Sequence, residues 1–102
     1  MNKTYIPPKQ VQINAKKALD CIKKGSKAMT RVGRARARQL ASGKPVSLNT
    51  IKRIYKFKRH KKNASFTGEP CEDRGHVAYI GWGGDQGIEW AESVLRKEGI
   101  LR

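Results

Sequence analysis

The side chains able to do covalent or metal chemistry in this chain are few. They are Cys21, Cys71, His60 and His76, with eight Asp and Glu residues spread among 102 positions. A structural zinc site needs paired ligands, such as two cysteines separated by two residues, and no such pair is present. The two cysteines are therefore read as free thiols, the usual state in a reducing compartment. No carboxylate pair and no Ser-His or Cys-His constellation stands out, and Asp73 with His76 is a lone coincidence. These residues point to neither a metal, a cofactor nor an enzyme.

The cations carry a stronger signal. Lys and Arg number 23 against eight acids, a net charge of +15. Residues 1–62 hold 19 of the cations and a single acid, Asp20, whereas residues 63–102 hold four cations and seven acids. Self-repulsion at this level costs stability, so a one-signed segment implies an anionic partner. Arg31, Arg34 and Arg38 are three and four apart, which stacks them on one helix face and destabilises an isolated helix. Arginine forks suit phosphate oxygens. The candidate phosphate-contacting set is Arg31, Arg34, Arg36, Arg38, Lys44, Asn49, Lys52, Arg53, Lys56, Lys58, Arg59, Lys61 and Lys62. The competing reading is a solvated face that only confers solubility. The size of the imbalance favours nucleic-acid binding, mainly DNA and mainly independent of sequence. Tyr5, Tyr55 and Phe57 are candidates to stack on exposed bases. A rival reading is a protein-interaction module that docks an acidic protein.

The elements that must position these residues can be read from patterning. At this length the chain suits one domain. The segment 1–6 reads as an arm. Pro7-Pro8 opens a helix from Lys9 to Lys24 whose stripe is Val11, Ala15, Ala18, Leu19 and Ile22. Thr30 caps a second helix over 31–42, with Val32, Ala35, Gln39 and Leu40 inward and Gly43 at its end. Ser47 caps a third over 47–60 through the Thr50 amide, and Val46 with Ile51 forms a hydrophobic staple. Ile51, Ile54, Tyr55 and Lys58 make its inner stripe. Residues 61–75 read as a flexible loop. The segment 76–84 fits a short strand or hairpin as well as a helix, and the lack of a partner strand favours helix. Asp85 caps a last helix over 86–97 that turns Ile88, Ala91, Val94 and Leu95 inward. The expected fold is all-α or mostly α, a compact bundle of four to five short helices.

The second and third helices, joined by Gly43-Lys44-Pro45-Val46, invite comparison with a helix-turn-helix, in which Asn49, Thr50 and Arg53 would read bases. Arg38 and Lys52 stand where that motif needs apolar residues, which favours an ordinary helical hairpin. The run Gly83-Gly84-Asp85-Gln86-Gly87 could cradle phosphate, but Asp85 opposes an anion and the P-loop lysine is missing. A tight turn with Trp82 and Trp90 packed inward is the better reading. With no ~20-residue apolar run and no apolar leader, the sequence implies a cytoplasmic protein that does not engage membranes.

Four stretches also carry a resemblance. They are Ile6 to Leu19, Val32 to Ser47, Thr50 to Phe57 with His60, and Gly81-Trp-Gly-Gly-Asp-Gln-Gly-Ile-Glu-Trp-Ala91. Together they resemble a small bacteriophage domain that occurs alone or beside head-maturation and other virion-assembly proteins. The resemblance implies a phage or prophage context, inside the host cell or with the virion, and brings no assigned activity. Relatives of that kind tend to be acidic after Phe-x-x-His. Here the segment reads Phe57-Lys-Arg-His-Lys-Lys-Asn63, and the sign is inverted.

Overall fold

A computed structural model describes residues 3–63 and 70–101. Five α-helices carry the chain: α1 (Lys9–Lys23), α2 (Arg31–Ser42), α3 (Leu48–Lys56), α4 (Arg74–Gly81) and α5 (Gly84–Lys97). Strand β1 (Thr4–Tyr5) pairs antiparallel with β2 (Val46–Ser47), placing Thr4 opposite Ser47 and Tyr5 opposite Val46. Two 3₁₀ segments, Phe57–Asn63 and Pro70–Glu72, lie between α3 and α4. The expected mainly helical bundle is thus the observed one. The N-terminal arm is not loose, because β1 ties residues 4 and 5 to the start of α3.

Local capping chemistry sets several boundaries. Thr30 Oγ1 accepts from the Gly33 amide at 3.1 Å, and Ser47 Oγ accepts from the Thr50 amide at 3.3 Å. Each satisfies an amide that the first turn leaves without a partner. Gly43 ends α2 in the left-handed region at φ 73°. Val46 and Ile51 are both buried in the main core, as a staple requires.

That core gathers Val11 and Ala15 of α1, Leu40 of α2, Val46 of β2, Ile51 and Ile54 of α3, and Ala91 and Leu95 of α5. Each fully buried isoleucine contributes about 1.5–3 kcal/mol of transfer free energy. A second, smaller cluster joins Ala18, Cys21, Ala28 and Val77, with Ile22, Met29, Cys71 and Ile80 against it. Helix α2 packs chiefly on α1, and α3 chiefly on α5.

Several expectations need correction. Helix α2 buries Gly33, Ala37 and Leu40, while Val32 is 58% exposed and Ala35 is also on the surface. Close approach to α1 and α4 selects the small residues of the helix for its inner face. The Cα of Gly33 leaves room for Met29 and Trp82, which a Cβ there would meet at 3.2 and 3.4 Å. Helix α3 stops at Lys56, and the tighter 3₁₀ winding that follows shifts the 3.6-residue stripe. Lys58 is consequently exposed, with its ammonium 5.9 Å from the Tyr55 ring. The proposed loop 61–75 is partly wound. Its first residues continue the 3₁₀ segment, Pro70–Glu72 form another, and α4 begins at Arg74. Residues 64–69 of that loop lie outside the described residues. The stretch 76–81 is helix, as the lack of a partner strand favoured, and it is started by Asp73, whose Oδ1 accepts from the His76 amide at 3.2 Å. Spacing made Asp73 and His76 a coincidence, whereas the structure makes the pair a helix cap.

Cys21 and Cys71 are not free thiols. They form a disulfide with a Cα–Cα separation of 5.0 Å across 50 residues of sequence. The thiol expectation followed from compartment rules, which do not see that α1 and the Pro70–Glu72 turn meet in the smaller cluster.

The last helix begins at Gly84, two residues earlier than expected. Gly83, at φ 106°, is its cap residue, and Asp85 lies in its first turn. Gly83 is needed twice. Its backbone conformation disfavours any L side chain, and an added Cβ would stand 2.8 Å from the Gly87 Cα and 3.1 Å from Val11 Cγ1. Gly25 has a similar φ, 110°, but nothing within 4 Å of its would-be Cβ. Gly25→Ala is therefore expected to cost about 1 kcal/mol and Gly83→Ala about 3 kcal/mol, the difference being steric. Urea unfolding of both variants checks this. Equal losses would show that the close approach at Gly83 is relieved at no cost.

Candidate nucleic-acid interface

The basic set divides into side chains that face solvent and side chains that the fold has recruited. Arg31, Arg38 and Lys44, on and just after α2, are exposed. So are Asn49, Lys52, Arg53 and Lys56 on α3, and Lys58, Arg59 and Lys61 on the 3₁₀ segment. The side chain of Lys62 lies outside the described residues. Among the described residues, Arg31, Arg38, Lys52, Arg53, Lys56 and Arg59 make no ion pair with a carboxylate. Lys61 does, holding Asp85 at 3.0 Å.

Arg34 and Arg36 serve the fold. Arg34 donates from Nε and Nη2 to the Ala28 carbonyl, at 3.3 and 3.2 Å, and so closes the connection between α1 and α2. Arg36 sits half-buried with its guanidinium 5.6 Å over the Trp82 ring. Its Nη1 donates to Gln39 Oε1 and, at 3.2 Å, to Thr50 Oγ1. Burial, and then the charge of nearby Arg53, lower its pKa. The Arg36–Thr50 bond links α2 to α3, and Arg53 stands close enough to feel the charge. The link therefore draws the two exposed basic rows toward one another.

The helix-turn-helix comparison fails on two points. Helices α2 and α3 are each packed mainly against another helix, α1 and α5 respectively. Thr50, a candidate base reader, is 7% exposed and engaged by Arg36. Asn49 and Arg53 do face solvent. A shallow cleft of about 620 Å³ runs beside α2, with Val32, Ala35, Arg38, Gln39 and Lys44 along it. Among the described residues, it offers two exposed cations, Arg38 and Lys44, and no carboxylate.

Of the aromatic residues named as candidates to stack on bases, Tyr5 and Tyr55 are turned to the core, Tyr55 as its place on the α3 stripe implies. Phe57 stacks on Trp82 (centroids 4.9 Å, 13° between planes) and also on exposed His60 (4.6 Å, 28°). Trp82 and Trp90 both pack, half-buried, on the main core.

The glycine-rich turn after α4 is an anchored corner. Asn14, 8% exposed on α1, donates to the Gly83 carbonyl at 2.7 Å and to Gln86 Oε1 at 2.8 Å, and its Oδ1 accepts from Gln10. Asp85 Oδ1 accepts from the Tyr79 hydroxyl at 2.5 Å. The Tyr79 hydrogen bond and the Lys61 contact hold Asp85 below the ordinary carboxylate range, while burial and Asp85 push the Tyr79 phenol up. Asp85 thus also places a carboxylate between this turn and any phosphate. Pattern reading missed Asn14, a polar residue on an otherwise apolar helix stripe. It also missed the pairing of Arg36 with Trp82, for which the sequence holds no local signal.

Among the described residues, no group of three or more His, Cys, Asp or Glu side chains is placed to hold a metal ion. No helix among them is long and apolar enough to cross a membrane. Fold and surface together define a small disulfide-tied helical protein with a one-signed cationic face. Compared with family models, with curated proteins and with solved structures, the chain matches none.

Proposed function

We propose that this protein binds the phosphate backbone of nucleic acid, with phage or host DNA as the ligand and the host cytoplasm or the virion as the setting, the Cys21–Cys71 bond favouring the virion because the cytosol keeps thiols reduced. The observation that carries the reading is the row of exposed Arg and Lys side chains on α2, α3 and the 3₁₀ segment without carboxylate partners among the described residues. Affinity would come mostly from release of counterions condensed on the strand, a term that does not depend on sequence. Arg36, Arg34 and Lys61 leave the contact set and act as its scaffold. The remaining contacts are Arg31, Arg38, Lys44, Lys52, Arg53, Lys56, Lys58 and Arg59, with Asn49 beside them. The phage setting rests on the resemblance of the Trp82-Gly-Gly-Asp85 region and its companion stretches.

An amide chemical-shift titration of the labelled protein with a short DNA duplex tests the location. Shifts are expected along exposed α2, along α3 and over 57–61, with the outer face of α5 around Glu89 and Ser93 silent. Shifts centred on α5, or no shifts at low salt, would remove the proposal. The search would then turn to an acidic protein partner.

A further inference from the structure

A cavity of about 360 Å³ opens where the α1–α2 connection, α4 and the start of the 3₁₀ segment meet. Its volume lies in the range of sites that take a small ligand. Met29, Ala78, Phe57 and Trp82 supply apolar and aromatic wall, and exposed Lys27 and Arg74 also line it. Phe57 and Trp82 fix one another by stacking, so their rings are held in place before any ligand arrives.

The side-chain polar groups here can each donate. No hydrogen bond among the described residues uses the Trp82 indole N–H. The indole Nε1 stands 3.4 Å from where a Cβ of Gly33, itself on the lining, would be. Thr30 Oγ1 accepts from the Gly33 amide, which leaves its own proton to give. Among the described residues, no Asp or Glu lines the cavity. The wall is also held under strain, because Met29 adopts φ 72°, a conformation rare for a side chain of its type. The Met29 methyl occupies space that glycine leaves at position 81, since a Cβ there would stand 2.4 Å from Met29 Cε.

A flat ring that offers acceptors and follows a phosphate meets all of these features. We propose that the cavity takes one unpaired, carbonyl-bearing nucleobase from a single strand, its neighbouring phosphates on Lys27 and Arg74. The proposal rests on the nucleic-acid reading above and extends it from backbone contact to an unstacked base. The base would meet the rims of Phe57 and Trp82, whose faces are taken up by one another, by His60 and by Arg36, and its carbonyl oxygens would accept from Trp82 and Thr30. Apolar contact of this kind tolerates any base, and the side-chain donors of Trp82 and Thr30 then favour thymine, uracil or guanine over adenine, which has no carbonyl oxygen.

The test uses the full chain carrying Trp90→Phe, which leaves Trp82 as the only tryptophan. Its fluorescence is followed with oligo-dT, oligo-dA, an abasic strand and a duplex of equal length. Oligo-dT is expected to quench Trp82 and to bind roughly 10-fold tighter than the abasic strand, with oligo-dA between them. Ala78→Leu, which fills the cavity without opening the core, should abolish that preference and leave duplex binding unchanged. Phe57→Leu should do the same. Equal binding and quenching by the dT and abasic strands would overturn the proposal. If duplex is then still bound with steep salt dependence, the backbone reading survives and the cavity assignment alone falls. If no strand form is bound, both fall.

Discussion

A Lys52→Glu/Lys56→Glu/Arg59→Glu variant is expected to bind a DNA duplex roughly 100-fold more weakly than the parent at low salt, with a log–log salt slope shallower by about 3. The three residues are exposed, lie on α3 or just after it, and make no ion pair among the described residues. Reversing them removes attraction and adds repulsion without touching the core, so urea unfolding should change little. Relief of self-repulsion among like charges even predicts a slight gain in stability. Lys97→Glu, on exposed α5, is the control and should leave affinity within about 2-fold, since it lies off the face. Net charge falls by about six in the triple variant and by about two in the control, so a control loss of about one third of the triple variant's, on a log scale, would mean that only net charge is sensed. Arg36→Ala should behave differently from both. It would destabilise the fold, because Arg36 lies over Trp82 and joins α2 to α3.

Opening the Cys21–Cys71 disulfide is expected to cost about 4 kcal/mol of stability. The bond spans 50 residues, and constraint of the unfolded chain grows with the loop that is closed. That loop contains α2, α3 and the whole proposed contact face, so the bond limits how far the face can spread when the smaller cluster loosens. The cluster offers little alternative support, since its fully enclosed members are Ala18, Ala28 and Val77 beside Cys21. The measurement is urea unfolding with and without a thiol reductant, beside a Cys21→Ser/Cys71→Ser variant. The parent should fall to the level of the variant on reduction, and the variant should ignore the reductant. A parent whose midpoint does not move would show that the link contributes nothing.

What the sequence made legible was mostly local. The caps at Thr30 and Ser47, the glycine at 43 and the staple of Val46 with Ile51 are short-range chemistry, and each is present. The stripe of α5 was readable from Ile88, Ala91 and Leu95, and that of α1 from Val11, Ala15 and Ala18, although Leu19 and Ile22 are only half-buried and Asn14 and Cys21 share the inner face. The stripe of α2 was not, since Gly33 and Ala37 face inward precisely where helices approach closely and large side chains cannot fit. Lys58 was misplaced because 3₁₀ winding replaces the α-helical period after Lys56. The disulfide depends on two segments 50 residues apart meeting in space, which no spacing rule reports.

The basic face was legible as charge but not as geometry. A solvent-facing arginine and one lying over an indole have the same local sequence signature. Arg34 and Arg36 therefore appeared among the phosphate contacts, although the Ala28 carbonyl, Trp82 and Thr50 occupy them. Thr50, a base reader only under the disfavoured helix-turn-helix comparison, is buried and bonded to Arg36. Asn14 shows the converse error. Its polarity hid a buried role, which is to hold the Gly83 carbonyl at the corner between α4 and α5.

The central claim is that exposed cations on α2, α3 and the 3₁₀ segment engage phosphates. Its most direct test is the equilibrium affinity for a DNA duplex, by fluorescence anisotropy, across a series of salt concentrations. With six to eight phosphates neutralised, the slope of log affinity against log salt should be about −5 to −7. A slope near zero, or no binding at low salt, would contradict the account.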